Sequence, residues 1–214
     1  MKILLLDFPG LIMSFIVGIA VLFFSKGFWI QNFILLLSFL LLGVIVTKWR
    51  HSEKREKGLY EHERGWKNVL SNGSIPIICC VMYYINMSQT WLSAFICSLA
   101  AATADKFGSE LGVLSGKPIN LRNFKYTRPG TSGAVSPLGT LMSFNGALMI
   151  GLISYALFSF DPIYIFGIGF MGFIGGLADT VAGIFEEMGF GTKSTSNIFC
   201  TFVGMALGYL FAFM

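Results

Sequence analysis

The sequence predicts an all-α, polytopic membrane helical bundle of about seven transmembrane helices with a cytoplasmic N-terminus. Three observations predict it: an apolar composition, apolar runs spread along the whole chain, and basic residues gathered on one side. Of 214 residues, 55% are hydrophobic and only 12% charged, and mean hydropathy is +0.72. Soluble domains carry roughly 25% charged residues. A soluble globular enzyme and a disordered chain are both excluded.

A spanning helix needs roughly 20 mostly apolar residues. Runs of this kind fall at about 8–25, 28–48, 69–87, 91–115, 136–160, 163–185 and 197–213. The first follows Lys2 and Asp7, but its apolar run is too long for a signal core and no small-residue cleavage site follows. It is therefore expected to stay as a helix. The whole chain, 1–214, is expected to form one membrane domain with loops at about 49–68, 116–135 and 186–196.

Charge sets the expected orientation. Lys48, Arg50, Lys54, Arg55, Lys57, Arg64 and Lys67 lie between spans two and three, and Lys117, Arg122, Lys125 and Arg128 between spans four and five. With Lys2 and Lys193, thirteen of the fifteen basic residues fall on one side, leaving Lys26 opposite and Lys106 within a span. The positive-inside rule assigns that side to the cytoplasm. Glu53, Glu56, Glu61 and Glu63 interleave with the basic loop, which argues against a nucleic-acid surface. Cys79, Cys80, Cys97 and Cys200 sit inside apolar spans, form no CxxC and lie far in sequence from His51 and His62. They read as small core residues rather than metal or redox groups.

Polar residues within or beside the spans carry the chemistry. Residues 101–112, AATADKFGSELG, put Asp105, Lys106 and Glu110 at the end of an apolar run. A charge in the bilayer core costs roughly 2.5–3.5 kcal/mol even on the lenient insertion scale. At helical spacing Ala101, Asp105, Ser109 and Gly112 share a face. A structural ion pair of Lys106 with either neighbour is the bland alternative. In the sixth span Gly172, Gly175, Gly176, Asp179, Gly183 and Glu186 share one broad face. Helix packing explains the glycines but not a carboxylate at the seam. Asp105 and Asp179 together suit a hard cation, and Mg²⁺ is commonly held by one or two carboxylates plus substrate phosphates.

The loop RPGTSGAVSP, 128–137, offers Gly130 and Gly133, hydroxyls at Thr131, Ser132 and Ser136, a nearby Arg128, and Pro137 for a first helical turn. Free amides at a helix start beside a guanidinium make an anion site. Asn72 and Gly73 fall just inside span three, where a buried amide needs partners; a kinked helix start also accounts for them. Gly167, Gly169 and Gly172 spell GxGxxG inside an apolar span with no preceding strand, so this is helix packing. No Walker A sequence occurs.

At these segments the sequence resembles a membrane family long described as a domain of unknown function. That family includes the phytyl-phosphate kinase of the plant vitamin E pathway and an uncharacterised animal transmembrane protein. Its pattern runs through VLANG-like, TADTWASE-like, GTSGGVS-like and late glycine-rich DS segments. Here they read VLSNG (69–73), TADKFGSELG (103–112), GTSGAVSPLGT (130–140) and GGLADT (175–180), and STSN (194–197) adds Asn197 at the start of the last helix. The motifs run in order from about residue 64 to the end of the chain. Two departures stand out: Lys106-Phe107 replaces the family's Thr-Trp, and Thr180 replaces a Ser.

The resemblance implies a Mg²⁺-dependent enzyme that phosphorylates an isoprenoid monophosphate from CTP or another nucleoside triphosphate. Asp105, Glu110 and Asp179 match its motifs and form the expected metal set; Asp105 joins Arg128, taken from the loop, and the departing Lys106, which could contact a phosphate or mark a different donor or acceptor, in the expected catalytic set. Phosphate binding falls to Asn72, Gly130, Thr131, Ser132, Gly133, Ser136 and Asn197. Two other classes stay open: cytidylyl transfer to a lipid phosphate with loss of pyrophosphate, and transport of an anionic lipid or metabolite. Gly204 and Gly208 suit a homodimer or the bundle interior equally.

Overall fold

The computed structural model describes residues 5–59 and 64–212. Lys2, Glu61, His62 and Glu63 lie outside the described residues. Eight helices occur among those described: α1 (Phe8–Phe24), α2 (Trp29–Lys48), α3 (His51–Glu56), α4 (Trp66–Asn86), α5 (Gln89–Gly112), α6 (Pro137–Phe158), α7 (Ile163–Glu187) and α8 (Lys193–Leu210). The seven long helices coincide with the seven apolar runs. Of these, α2, α4, α6 and α7 are long and apolar enough to cross a membrane by length and composition.

Local chemistry sets where the helices begin. The Asp7 carboxylate accepts from Gly10 N at 2.7 Å, with proline in the first turn of α1. Ser136 Oγ accepts from Gly139 N at 3.1 Å and Pro137 opens α6, as the loop sequence predicts. Two boundaries differ from expectation. Helix α4 is already helical at Trp66, so Asn72 and Gly73 sit two turns in, and its Pro76 lies inside the helix. Helix α8 starts at Lys193 rather than 197, because Thr192 and Thr195 form a reciprocal capping box that the polar composition of this stretch conceals. The loop expected at 116–135 also contains a small antiparallel sheet: β1 (Ile119–Asn120) pairs with both β2 (Lys125–Tyr126) and β3 (Ala134–Val135).

The bundle is built around α5, which packs against α2, α4, α6, α7 and α8. Every residue from Leu92 to Ala104 is buried. Mostly small side chains there meet glycines on the surrounding helices. A Cβ at Gly175 would fall 2.5 Å from Ala101 Cβ, one at Gly204 2.5 Å from the Cys97 carbonyl oxygen, and one at Gly208 2.6 Å from the Ser93 carbonyl oxygen. Two of the three GxGxxG glycines serve packing: Gly169 faces Leu148 of α6, and Gly172 faces Ala100 and Ala147. All four cysteines are free and buried.

The outer surface reverses the usual pattern. Phe15, Ile19, Phe23, Leu41, Ile45, Leu152, Phe166 and Phe170 are exposed. An apolar surface this continuous belongs against another apolar phase, here the lipid.

The seam yields a paired prediction. Gly204→Ala forces a methyl against α5 backbone and should cost about 1–3 kcal/mol, the range for overpacking. Gly167→Ala meets nothing within 4 Å, so the gain in helix propensity should leave stability equal or higher. Thermal unfolding of the two variants in detergent distinguishes these outcomes.

Candidate functional site

Polar groups gather at one end of the bundle, where α2, α5 and α7 finish and α4, α6 and α8 begin. Gly176 lets α7 approach α5 closely: a Cβ there would lie 2.9 Å from Ala104 Cβ. One turn later Asp179 meets Asp105 at the mouth of the seam. Their carboxylates converge on one ammonium, with Lys193 Nζ 2.5 Å from Asp179 Oδ2 and 3.5 Å from Asp105 Oδ1. Asp179 is buried, and its Oδ1 has no hydrogen-bond partner among the described residues. Lys193 lies before the apolar part of α8. Desolvation pulls its pKa down, but Asp105 and Asp179 push harder the other way and hold it above the usual lysine value.

These groups line a cavity of about 290 Å³, the carboxylate chamber, which also takes in Gly130, Thr131, Ser132, Gly133 and Ser136. The loop is pressed onto α7: Gly133 has φ +70°, and a Cβ at Gly183 would lie 2.5 Å from Gly133 N. Glu186 ties the wall together, accepting from Ser132 Oγ at 3.2 Å and from Ser196 Oγ. Asn120 Nδ2 donates to Glu187 Oε2 at 2.8 Å and fastens the small sheet to the end of α7.

A second cavity of about 390 Å³, the amide chamber, adjoins the first. Asn68, Asn72, Arg64, Lys106 and Asn197 line it, and Asp105, Ser109, Gly130 and Lys193 border both spaces. Asn72 Nδ2 donates to Asn68 O at 2.9 Å, and Asn197 Nδ2 to Ser71 Oγ at 3.3 Å. Asn197 Oδ1 is buried with no hydrogen-bond partner among the described residues.

Most residues singled out from sequence thus meet in two adjoining chambers; Glu110 lines the amide chamber but is tied up in an ion pair, and Arg128 lines neither. Glu110 does not join Asp105 and Asp179. Its oxygens take Lys54 Nζ at 2.8 Å, Lys106 Nζ at 3.0 Å and Thr47 Oγ1 at 2.8 Å. Lys54 is fully buried and spends its three donors on Glu110 and on the Val46 and Thr47 carbonyls at the end of α2. Arg128 is exposed on the loop and lines neither chamber; its carbonyl accepts from Thr131 Oγ1 at 2.7 Å.

Sequence reasoning passed over Lys193, Arg64, Asn68 and Glu186 as site residues. Arg64 and Asn68 lie just before VLSNG and Lys193 just before STSN, so flanking position was the available signal. The residues present fit a divalent cation in their chemistry: two acidic oxygen donors, one with an orphaned buried oxygen, already surround a positive charge. Among the described residues, no group of three or more His, Cys, Asp or Glu side chains gathers to hold a metal.

Fold and chambers together define an integral membrane protein with a polar, carboxylate-bearing site at one end of a helical bundle. The family model described as "Integral membrane protein DUF92" matches residues 1–201, and the chain belongs to that family. It is 41% identical over 207 residues to the uncharacterized membrane protein MJ0933 of Methanocaldococcus jannaschii, covering 96% of this chain and 85% of the relative. It is 27% identical to the uncharacterized membrane protein sll0875 of Synechocystis, over 71% of this chain and 57% of the relative. It is 23% identical to Protein VTE6, chloroplastic, of Arabidopsis thaliana, over 86% of this chain and 58% of the relative. The chain thus spans less than two thirds of the length of these last two. No solved structure matches it.

The Glu110 network predicts a stability role. Glu110→Gln leaves buried Lys54 without its counter-charge and should cost about 3–5 kcal/mol, the usual penalty for halving a buried ion pair. Denaturant unfolding in detergent measures it, and unchanged stability would show that Glu110 does not hold the helices together.

Proposed function

We propose that this protein is a membrane-embedded, Mg²⁺-dependent kinase that transfers the γ-phosphate of CTP, or another nucleoside triphosphate, to an isoprenoid monophosphate. Family membership and the four ordered motifs support the class of reaction. The observation that carries the reading is the convergence of Asp105, Asp179 and Lys193 beneath the 130–133 loop, next to a second polar chamber. The gathering of basic residues at this end supports a cytoplasmic opening, where nucleotide is available.

In this reading the nucleotide phosphates occupy the carboxylate chamber. Amides of the 130–133 loop and the Thr131 and Ser132 hydroxyls donate to phosphate oxygens, and Ser136 holds the start of α6 in place. Asp105 and Asp179 would hold Mg²⁺, which neutralises phosphate charge when bound. Lys193 takes the charge-stabilising role inside the chamber, a place Arg128 does not reach. The acceptor phosphate lies in the amide chamber, oriented by Asn72, Asn197 and Lys106. Its ionised oxygen attacks the γ-phosphorus, the bond from the γ-phosphorus to the β–γ bridging oxygen breaks, and the nucleoside diphosphate leaves with that oxygen. An ionised phosphate needs no strong base, so positioning and electrostatics do most of the work.

The test is turnover of purified protein with γ-labelled CTP or ATP, Mg²⁺, and phytyl or geranylgeranyl monophosphate. Label in the lipid diphosphate is expected; label released as pyrophosphate indicates cytidylyl transfer, and no turnover with any pair overturns the enzyme reading. Asp105→Asn and Lys193→Met should each lower turnover by about a hundredfold or more, the scale for losing one charge-stabilising group. Thermal unfolding should confirm that both variants remain folded. Near-normal turnover in Asp105→Asn would remove that carboxylate from the site.

A further inference from the structure

A third cavity, of about 310 Å³, lies outside the polar chambers, between α1, α2 and the start of α4. Its walls are almost wholly apolar, with Phe15, Leu22, Phe33 and Leu37 among them, and it opens among lipid-facing side chains. Along α1 it extends from Leu11 to Leu22, about 16 Å at 1.5 Å per residue. One end changes character abruptly: Arg64, Asn68 and Asn72 close it, and these three also line the amide chamber. Phe39 borders both spaces and marks the junction.

Arg64 is held there from two sides. Its backbone joins the entry to α1, with Arg64 N donating to Leu5 O at 2.8 Å and Asp7 N to Arg64 O at 3.3 Å. Its guanidinium reaches α2, donating to Thr47 Oγ1 at 2.7 Å and Gly43 O at 3.1 Å. A fixed cation thus stands where an apolar groove meets a polar chamber, with Lys106 and Lys193 beyond it.

We infer that this groove is the tail site for a single-chain lipid phosphate, which enters sideways from the bilayer beside α1 and α2 and places its anionic head in the amide chamber. The inference rests on the kinase reading for what happens next, but not for binding. The occupant follows from shape and charge together. A narrow apolar channel takes one hydrocarbon chain. Its cationic, amide-lined end holds an anion through charge-assisted hydrogen bonds, more strongly than a neutral alcohol. A free nucleotide or polar metabolite has no use for the apolar length. The arrangement divides the two substrates: nucleotide on the loop side, lipid on the α1–α2 side, with Asp105, Lys193 and Gly130 on the boundary.

Binding is tested without nucleotide, using geranylgeranyl monophosphate with a tail diazirine and the protein in lipid nanodiscs. Photolabel should fall within Phe8–Phe24, Trp29–Lys48 and the first turns of Trp66–Asn86. Unlabelled geranylgeranyl monophosphate should displace it, and geranylgeraniol or phosphatidylglycerol at equal concentration should not. Leu37→Trp and Ser14→Phe, which narrow the groove, should weaken labelling about tenfold, the size of losing a couple of buried methylenes. Label outside α1, α2 and the first turns of α4, equal competition by phosphatidylglycerol, or undiminished labelling of both variants would each overturn the groove. In the turnover assay, the two variants should lose the long-chain acceptor and keep dimethylallyl monophosphate. Correct labelling without any turnover leaves the groove standing and removes the kinase reading. Turnover with label elsewhere does the reverse.

Discussion

The closeness of helix backbones around α5 is the constraint on which the rest depends. In lipid, helices gain little from hiding apolar side chains from one another, so close contact must do the work. The run from Leu92 to Ala104 permits it, and glycines at 146, 172, 175, 176, 204 and 208 complete it from α6, α7 and α8. Asp105 follows the enclosed run directly, and Asp179 follows Gly176 by one turn. The distance between the carboxylates is therefore a consequence of how closely α7 is seated on α5. The active end inherits its geometry from a seam that carries no chemistry.

Two ionic clusters occupy the same end and behave differently. Around Glu110 every charge is answered: Lys54, Lys106 and Thr47 engage its oxygens, and Lys54 satisfies all three donors. The buried Lys54–Glu110 pair has little capacity for a ligand and fits a structural tie, while Lys106 also lines the amide chamber. Around Asp179 the balance is incomplete, with one carboxylate oxygen buried and unpartnered and an ammonium half exposed to the chamber. Incomplete satisfaction at a cavity wall is what a binding site requires, because the incoming group supplies the missing partners.

Apolar run length made the long helices legible, and paired intramembrane carboxylates pointed to Asp105 and Asp179. The 130–133 loop was legible from its glycines and hydroxyls, since Ser136 and Pro137 behave as a cap and first turn usually do. What escaped was non-local or compositionally disguised. Glu110 sits four residues from Lys106, but its partner Lys54 lies 56 residues away, and no local pattern announces that pairing. Lys193 belongs to a polar stretch that reads as loop until its capping box forms. Strands of two residues carry no periodicity to detect. Arg128 looked equivalent to any other cation beside a glycine-rich loop, and only the fold shows it outside the linings of both chambers.

Lys54 also has a history within synthesis. It leaves the ribosome well before Glu110, and in sequence it belongs to a strongly basic stretch. Until α5 is made, its ammonium lacks the Glu110 carboxylate that it meets in the fold. Once α5 docks, the same charge disappears into the interior and fastens the loop to the ends of α2 and α5. A residue made long before its partner thus ends as a buried tie that only the completed bundle can form.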